Sequence, residues 1–130
     1  MKSHVALAAT AAAVLAFAAT AASAADKPAG KNECFWGRTV TNFAAPDNQT
    51  LYVRAGGNQV YKFDMFGPCQ DMDWNQRLAL VSRGGDSICN GMEAEVVSHA
   101  TGIGRQRCPI RNMRKLTPEE VAALPKNAKP

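Results

Sequence analysis

The chain has 130 residues, 46% of them hydrophobic and 20% charged, with four cysteines and a formal net charge of +4. That length suits one domain and leaves little room for two independent cores. The composition excludes collagen-like, highly charged disordered and multi-span membrane chains, although an alanine-rich opening inflates the hydrophobic fraction.

Met1-Lys2-Ser3-His4 is a short basic start, and Val5 to Ala22 then runs without a charge. Ala22-Ser23-Ala24 supplies the small alternate residues that signal peptidase needs, so residues 1–24 read as a signal peptide cut before Ala25. An uncleaved anchor is the rival, since the run approaches the ~18 residues of a spanning helix. Alanine is only weakly hydrophobic, which favours cleavage and leaves no transmembrane anchor. No cysteine follows the cut, which argues against a lipoprotein. Without Lys2, 14 basic residues face 11 acidic ones, so the mature chain carries +3 and His99 is its only histidine. Such a charge permits anionic partners without requiring them.

Cys34, Cys69, Cys89 and Cys108 all lie in the mature part, at spacings of 35, 20 and 19 positions. An even count in a small exported chain reads as two disulfides, whereas zinc sites carry closely spaced cysteine pairs. In an antiparallel meander chain direction alternates, which places Cys34 and Cys89 near one end and Cys69 and Cys108 nearer the other. This favours Cys34–Cys89 with Cys69–Cys108 over the sequential pairing, and a strand crossover would reverse the preference.

Residues 25–33 form a polar, flexible leader, and residues 34–124 a disulfide-bridged β domain. Six β-prone runs broken by turn residues follow in order: 35–43, 50–54, 59–66, 77–82, 93–99 and 105–112. In the third, Tyr61, Phe63 and Met65 share one face and Lys62 and Asp64 the other. In the fifth, Ala94, Val96 and Ser98 oppose Glu93, Glu95 and His99. The spacing predicts a small antiparallel β-sandwich or barrel with a short C-terminal α-helix. Thr117 caps that helix, Pro118 takes its first position and Glu120 completes a capping box, with Leu116 and Val121 at the staple positions. Pro125 stops it, and residues 125–130 read as a disordered tail.

Cys34, Val40-Thr41-Asn42-Phe43, Asp47, Leu51-Tyr52-Val53, Tyr61, Gly67-Pro68-Cys69-Gln70-Asp71, Ile88-Cys89-Asn90-Gly91, Arg107-Cys108-Pro109-Ile110 and Leu116-Thr117-Pro118-Glu119-Glu120 form one layout. It resembles a family of small exported four-cysteine proteobacterial proteins known as a domain of unknown function. The resemblance implies export and a compact cysteine-bridged domain, and it transfers no catalytic residue.

A Ser-His-Asp hydrolase needs a base beside a nucleophile. His99 ends a strand with outward parity, and Ser82, Ser87 and Ser98 lack a nucleophile elbow, so His99 reads as solvated. Bridged cysteines leave no thiol nucleophile. Asp71-Met72-Asp73-Trp74-Asn75 imitates a calcium loop, but Gln76 and Ser82 stand where glycine and glutamate belong; the segment reads as a turn with aspartate capping. Asn48-Gln49-Thr50 fits a glycosylation sequon and reads as an ordinary turn in a bacterial chain. No cofactor or metal site is expected. The aromatics Phe35, Trp36, Phe43, Tyr52, Tyr61, Phe63, Phe66 and Trp74 all lie in the first half of the mature chain, which suits core packing, with an exposed stacking surface as the alternative.

Arg105, Arg107, Arg111, Arg114 and Lys115 cluster without acids. At strand periodicity Arg105, Arg107 and Arg111 share a face, opposite Cys108 and Ile110; extended by Arg114 and Lys115 they form the anion-binding candidate, and the rival reading is that these charges only guard a sheet edge against pairing. Pro109 cannot donate to a ladder, which places its strand at a sheet edge. Arginine suits phosphate and carboxylate, so an anionic envelope component or an acidic protein is the expected partner, and nucleic acid is not. The sequence thus points to a periplasmic or secreted, non-catalytic binding module. The alternative is a small periplasmic enzyme or an inhibitor of a cell-wall hydrolase. A cleft with two converging carboxylates or His99 would favour the enzyme, and a basic or aromatic face would favour binding.

Overall fold

The computed structural model describes residues 33–91 and 93–130. The expected signal peptide, its cut before Ala25 and the leader as far as residue 32 lie outside the described residues. Eight strands are found among the described residues: β1 (Cys34–Trp36), β2 (Val40–Ala44), β3 (Thr50–Ala55), β4 (Gln59–Met65), β5 (Ala79–Ser82), β6 (Ser87–Cys89), β7 (Ala94–Ala100) and β8 (Gly104–Lys115). Helix α1 (Pro118–Ala123) follows. Six strands make an antiparallel half-barrel in the order β2-β3-β4-β8-β7-β5, and β1 pairs with β6 in a separate two-stranded sheet. The mainly-β expectation holds, as a half-barrel with a short C-terminal helix.

The run expected as one strand over 35–43 divides at a 3₁₀ turn, Gly37–Thr39, and its halves enter different sheets. Asp86 causes the break: its carbonyl accepts from Gly37 N–H at 2.7 Å and its Oδ1 from Arg38 N–H at 3.1 Å. A Cβ on Gly37 would stand 2.9 Å from Asp86 Oδ1 and 3.4 Å from the Asp86 carbonyl oxygen, so a side chain there would push the Asp86 carboxylate off Arg38 N–H. The three-residue β6 is too short to show a period in the sequence.

Alternation then builds the core. Leu51, Val53 and Ala55 of β3, Tyr61, Phe63 and Met65 of β4, and Ala94 and Val96 of β7 are all buried on the concave face. Phe35 and Ile88, register partners across β1 and β6, cover that face. The Phe35 ring centroid lies 4.6 Å from that of Tyr61 and 6.1 Å, edge-on, from that of Phe63. The bridges are Cys34–Cys89, joining register partners with Cα atoms 4.0 Å apart, and Cys69–Cys108, with Cα atoms 5.7 Å apart. The second bridge is inside the core.

The edge position expected for the strand of Pro109 is corrected: β8 is central, between β4 and β7. Pro109 is tolerated because its backbone faces β4 just where that strand ends. Phe66 N–H donates to Pro109 O at 3.1 Å, and the donor that proline lacks would have met only Phe66, one residue beyond β4. A bulge follows. Met65 is opposite Ile110 and Asp64 opposite Asn112, so Arg111 is the extra residue. Inward parity therefore changes from Cys108 and Ile110 to Met113, and Arg114 joins the outer face.

The tail also departs from the disordered segment expected over 125–130. Lys126–Ala128 forms a 3₁₀ turn, Ala128 is buried, and Arg54 Nη2 donates to Pro130 O. Residues 116–130 strap the outer face, where Val60 and Leu116 are buried outside the main core cluster. The capping box is present: Glu120 N–H donates to Thr117 Oγ1 at 3.3 Å and Thr117 N–H to Glu120 Oε2 at 2.8 Å. Glu120 also accepts from Arg114 Nη1 at 3.0 Å, tying α1 to β8. Thr117→Ala is expected to cost ~1 kcal/mol in urea unfolding. The Glu119 carboxyl is held below its ordinary pKa by its own backbone N–H and then by the Thr117 hydroxyl. That contribution is present above the unfolded pKa and is lost as pH falls through the folded one.

Candidate functional site

The structure disperses the basic stripe. Arg105 and Arg107 lie on the outer face of β8, and Arg107 Nη1 pairs with Glu95 Oε2 at 2.9 Å. The Arg114 side chain is 12% exposed and sits under α1, bonded to Glu120. Lys115 is exposed, and its backbone N–H donates to Glu33 Oε2 at 2.6 Å. Arg111 occupies the bulge, exposed, and makes no ion pair among the described residues.

That bulge opens onto a groove. Two cavities of about 210 and 440 Å³ share walls formed by Phe66, Glu93, Ala94 and Ile110. The smaller lies between Ile88 and Cys89 of β6 and Arg111, Asn112 and Met113 of β8, over Phe63. The larger runs past Val81 and Arg83 to Glu95, Arg107 and Pro109. Phe66 is 65% exposed. It follows β4 with the parity of Lys62 and Asp64, so its ring turns away from the core that Phe63 fills. Parity alone was the signal for its exposure. Glu93 and Glu95 both line the larger cavity, yet each carboxylate is engaged, by Arg83 at 2.8 Å and by Arg107 at 2.9 Å. Among the described residues the groove's charged side chains are thus three arginines and two glutamates, and of the arginines Arg111 alone has no ion pair there. The bulge and the Arg83–Glu93 and Arg107–Glu95 pairings arise from strand register, which single-strand patterning does not reveal.

The other candidates do not converge. His99 is exposed and opposite Arg105 in the ladder. Among the described residues none of Ser82, Ser87 and Ser98 bonds to it: Ser98 Oγ accepts from Gln106 Nε2 at 2.9 Å, and Ser82 Oγ donates to Ser87 O at 3.1 Å. The calcium-like segment is a turn in which Asp71, at φ 56°, accepts Thr101 N–H on Oδ2 at 2.7 Å. No group of three His, Cys, Asp or Glu that could hold a metal occurs among the described residues. The Asn48 carbonyl accepts Cys69 N–H at 2.6 Å, and Asp47 Oδ1 accepts the N–H groups of Gln49 and Thr50, each at 2.7 Å. The aromatics divide: Phe35, Tyr61 and Phe63 are core, whereas Trp36, Phe66 and Trp74 are exposed. Trp36 carries the Arg38 guanidinium 4.8 Å from its ring centroid, and Trp74 is 83% exposed.

A second cleft of about 330 Å³ opens where the edge strands β2 and β5 both line it, walled by Val40, Phe43, Leu51, Val53 and Leu80. No helix among the described residues is long and apolar enough to cross a membrane.

No curated protein and no solved structure matches the chain. The model of a family of unknown function, DUF6491, matches residues 1–130, and the chain belongs to that family.

Proposed function

We propose that the protein is an exported, non-catalytic binding module of the bacterial envelope or its surroundings, whose Phe66 groove holds an anionic, partly apolar ligand. The observation that carries this reading is Arg111, an exposed guanidinium without an ion pair among the described residues, beside an exposed phenylalanine and a floor of Phe63, Ile88, Ile110 and Met113. Apolar concavities with a few polar groups are the usual form of ligand sites; the smaller cavity, of about 210 Å³, has that lining and shares walls with the charged larger one of about 440 Å³. Both carboxylates of the groove are tied to arginines, which supports binding over acid–base chemistry. Two disulfides in so short a chain, with the signal-like start, support export.

Anilinonaphthalene sulfonate, an anion with an apolar body, tests the groove by fluorescence titration. Arg111→Gln is expected to weaken its binding roughly tenfold, the loss of one charged hydrogen bond. Phe66→Ala should weaken it as well, through lost aromatic contact. Equal affinity for the parent protein and both variants would refute the assignment.

A further inference from the structure

We infer that the half-barrel has a second binding site, the cleft between its edge strands β2 and β5, and that it takes a small uncharged apolar molecule. The site is separate from the Phe66 groove, with which its lining shares no residue. A closed barrel would join the first strand of the sheet to the last, but here β2 and β5 stay apart as edges. The seam between them holds about 330 Å³, within the ~300–1,000 Å³ range of ligand pockets. Its floor is core: Leu51 and Val53 are each 1% exposed. Its walls, Val40, Phe43, Leu78 and Leu80, pack against that core and yet are only partly buried. A guest in the seam would cover the apolar surface that these four side chains leave to solvent.

The absence of charge in the ligand follows from the lining. Among the described residues Asp86 is its one charged member, and the oxygens of Asp86 are engaged. The carbonyl accepts Gly37 N–H at 2.7 Å, Oδ1 accepts Arg38 N–H at 3.1 Å and Oδ2 accepts Arg38 Nη1 at 3.4 Å. An anion would find no cation in the lining, and a cation would compete with the Arg38 guanidinium. Either would lose its water without gaining an ion pair. An added β-strand is a poor occupant, for three reasons. β2 is bulged at Thr41, and its Phe43 N–H is spent on Asn42 Oδ1 at 2.9 Å. β5 offers an edge of only four residues. Gly37 and Asp86, bonded to each other, also bridge the seam where β2 begins and β5 has ended. A strand running along the seam would meet that bridge, whereas a small molecule stops short of it.

The probes are the neutral dye N-phenyl-1-naphthylamine, decanol and decanoate, each added at neutral pH to the disulfide-bridged protein. Decanol is expected to displace the dye at least tenfold more effectively than decanoate, whose carboxylate finds no partner in the lining. Methyl resonances of Leu51, Val53, Leu78 and Leu80 should shift with decanol, while those of Ile110 and Met113 in the Phe66 groove stay in place. Leu78→Trp, which fills the cleft from its wall, should weaken decanol at least tenfold; the methyl shifts, read on the parent protein, do not depend on that variant folding. No binding of dye or decanol, equal potency of decanol and decanoate, or shifts confined to the groove overturns the inference. So does sedimentation as a dimer that excludes the dye, since a second copy would then fill the seam.

Discussion

Replacing Cys69 and Cys108 together by alanine is expected to lower stability by about 4 kcal/mol, the chain-entropy value for a loop of their separation, 39 residues. Cys69 is fully buried and its Sγ lies 3.5 Å from Ser98 Oγ, so the variant also leaves a void in the core and loses that polar contact. The separation of 55 residues gives a similar entropic value for Cys34–Cys89, but Cys34 is exposed and that bridge staples the small β1–β6 sheet. Limited thiol reduction should therefore open Cys34–Cys89 first. Because Cys89 lines the smaller cavity, this partly reduced form should bind anilinonaphthalene sulfonate differently while the half-barrel persists. Mass spectrometry after alkylation reads the order. Prior opening of Cys69–Cys108 would contradict the burial argument. Before reduction and alkylation, the intact mass of protein exported by a Gram-negative host should match the chain from Ala25, less four hydrogens.

Phe63→Ala should cost ~3–5 kcal/mol and Phe66→Ala close to nothing in stability, although the two residues are three positions apart in one segment. Phe63 is fully buried against Phe35 and β8, whereas Phe66 stands 65% exposed at the groove. Ligand binding should invert the ranking of the pair: Phe66→Ala loses affinity with its melting temperature retained. Urea midpoints read beside the fluorescence titration decide the matter. A Phe66→Ala protein as unstable as Phe63→Ala would place Phe66 in the core and remove it from the site.

Much of the architecture was legible because its causes are local. Period-two alternation in Tyr61, Phe63 and Met65 and in Ala94, Val96 and Ser98 marked two inner faces, as found. Thr117, Pro118 and Glu120 marked the helix start, since a capping box needs only neighbouring residues. Alternating chain direction gave the same cysteine pairing that the structure shows, although the strands do not follow a simple meander. The expected single strand over 35–43 failed because Asp86, far along the chain, grips Gly37 and Arg38. Pro109 misled because its missing donor matters only where a neighbouring strand continues, and β4 ends there. The arginine stripe dispersed for a related reason: one bulge at Arg111 reverses parity, and α1 then covers Arg114.

By itself, then, the sequence determined the β class, the helix cap and the inner faces, all of which follow from patterns within a few positions. The tertiary structure decided which arginine of the groove has no acidic partner among the described residues, which aromatics face solvent and where the groove opens. Those depend on register between strands distant in sequence, and a shift of one residue there turns a side chain from one face of the sheet to the other.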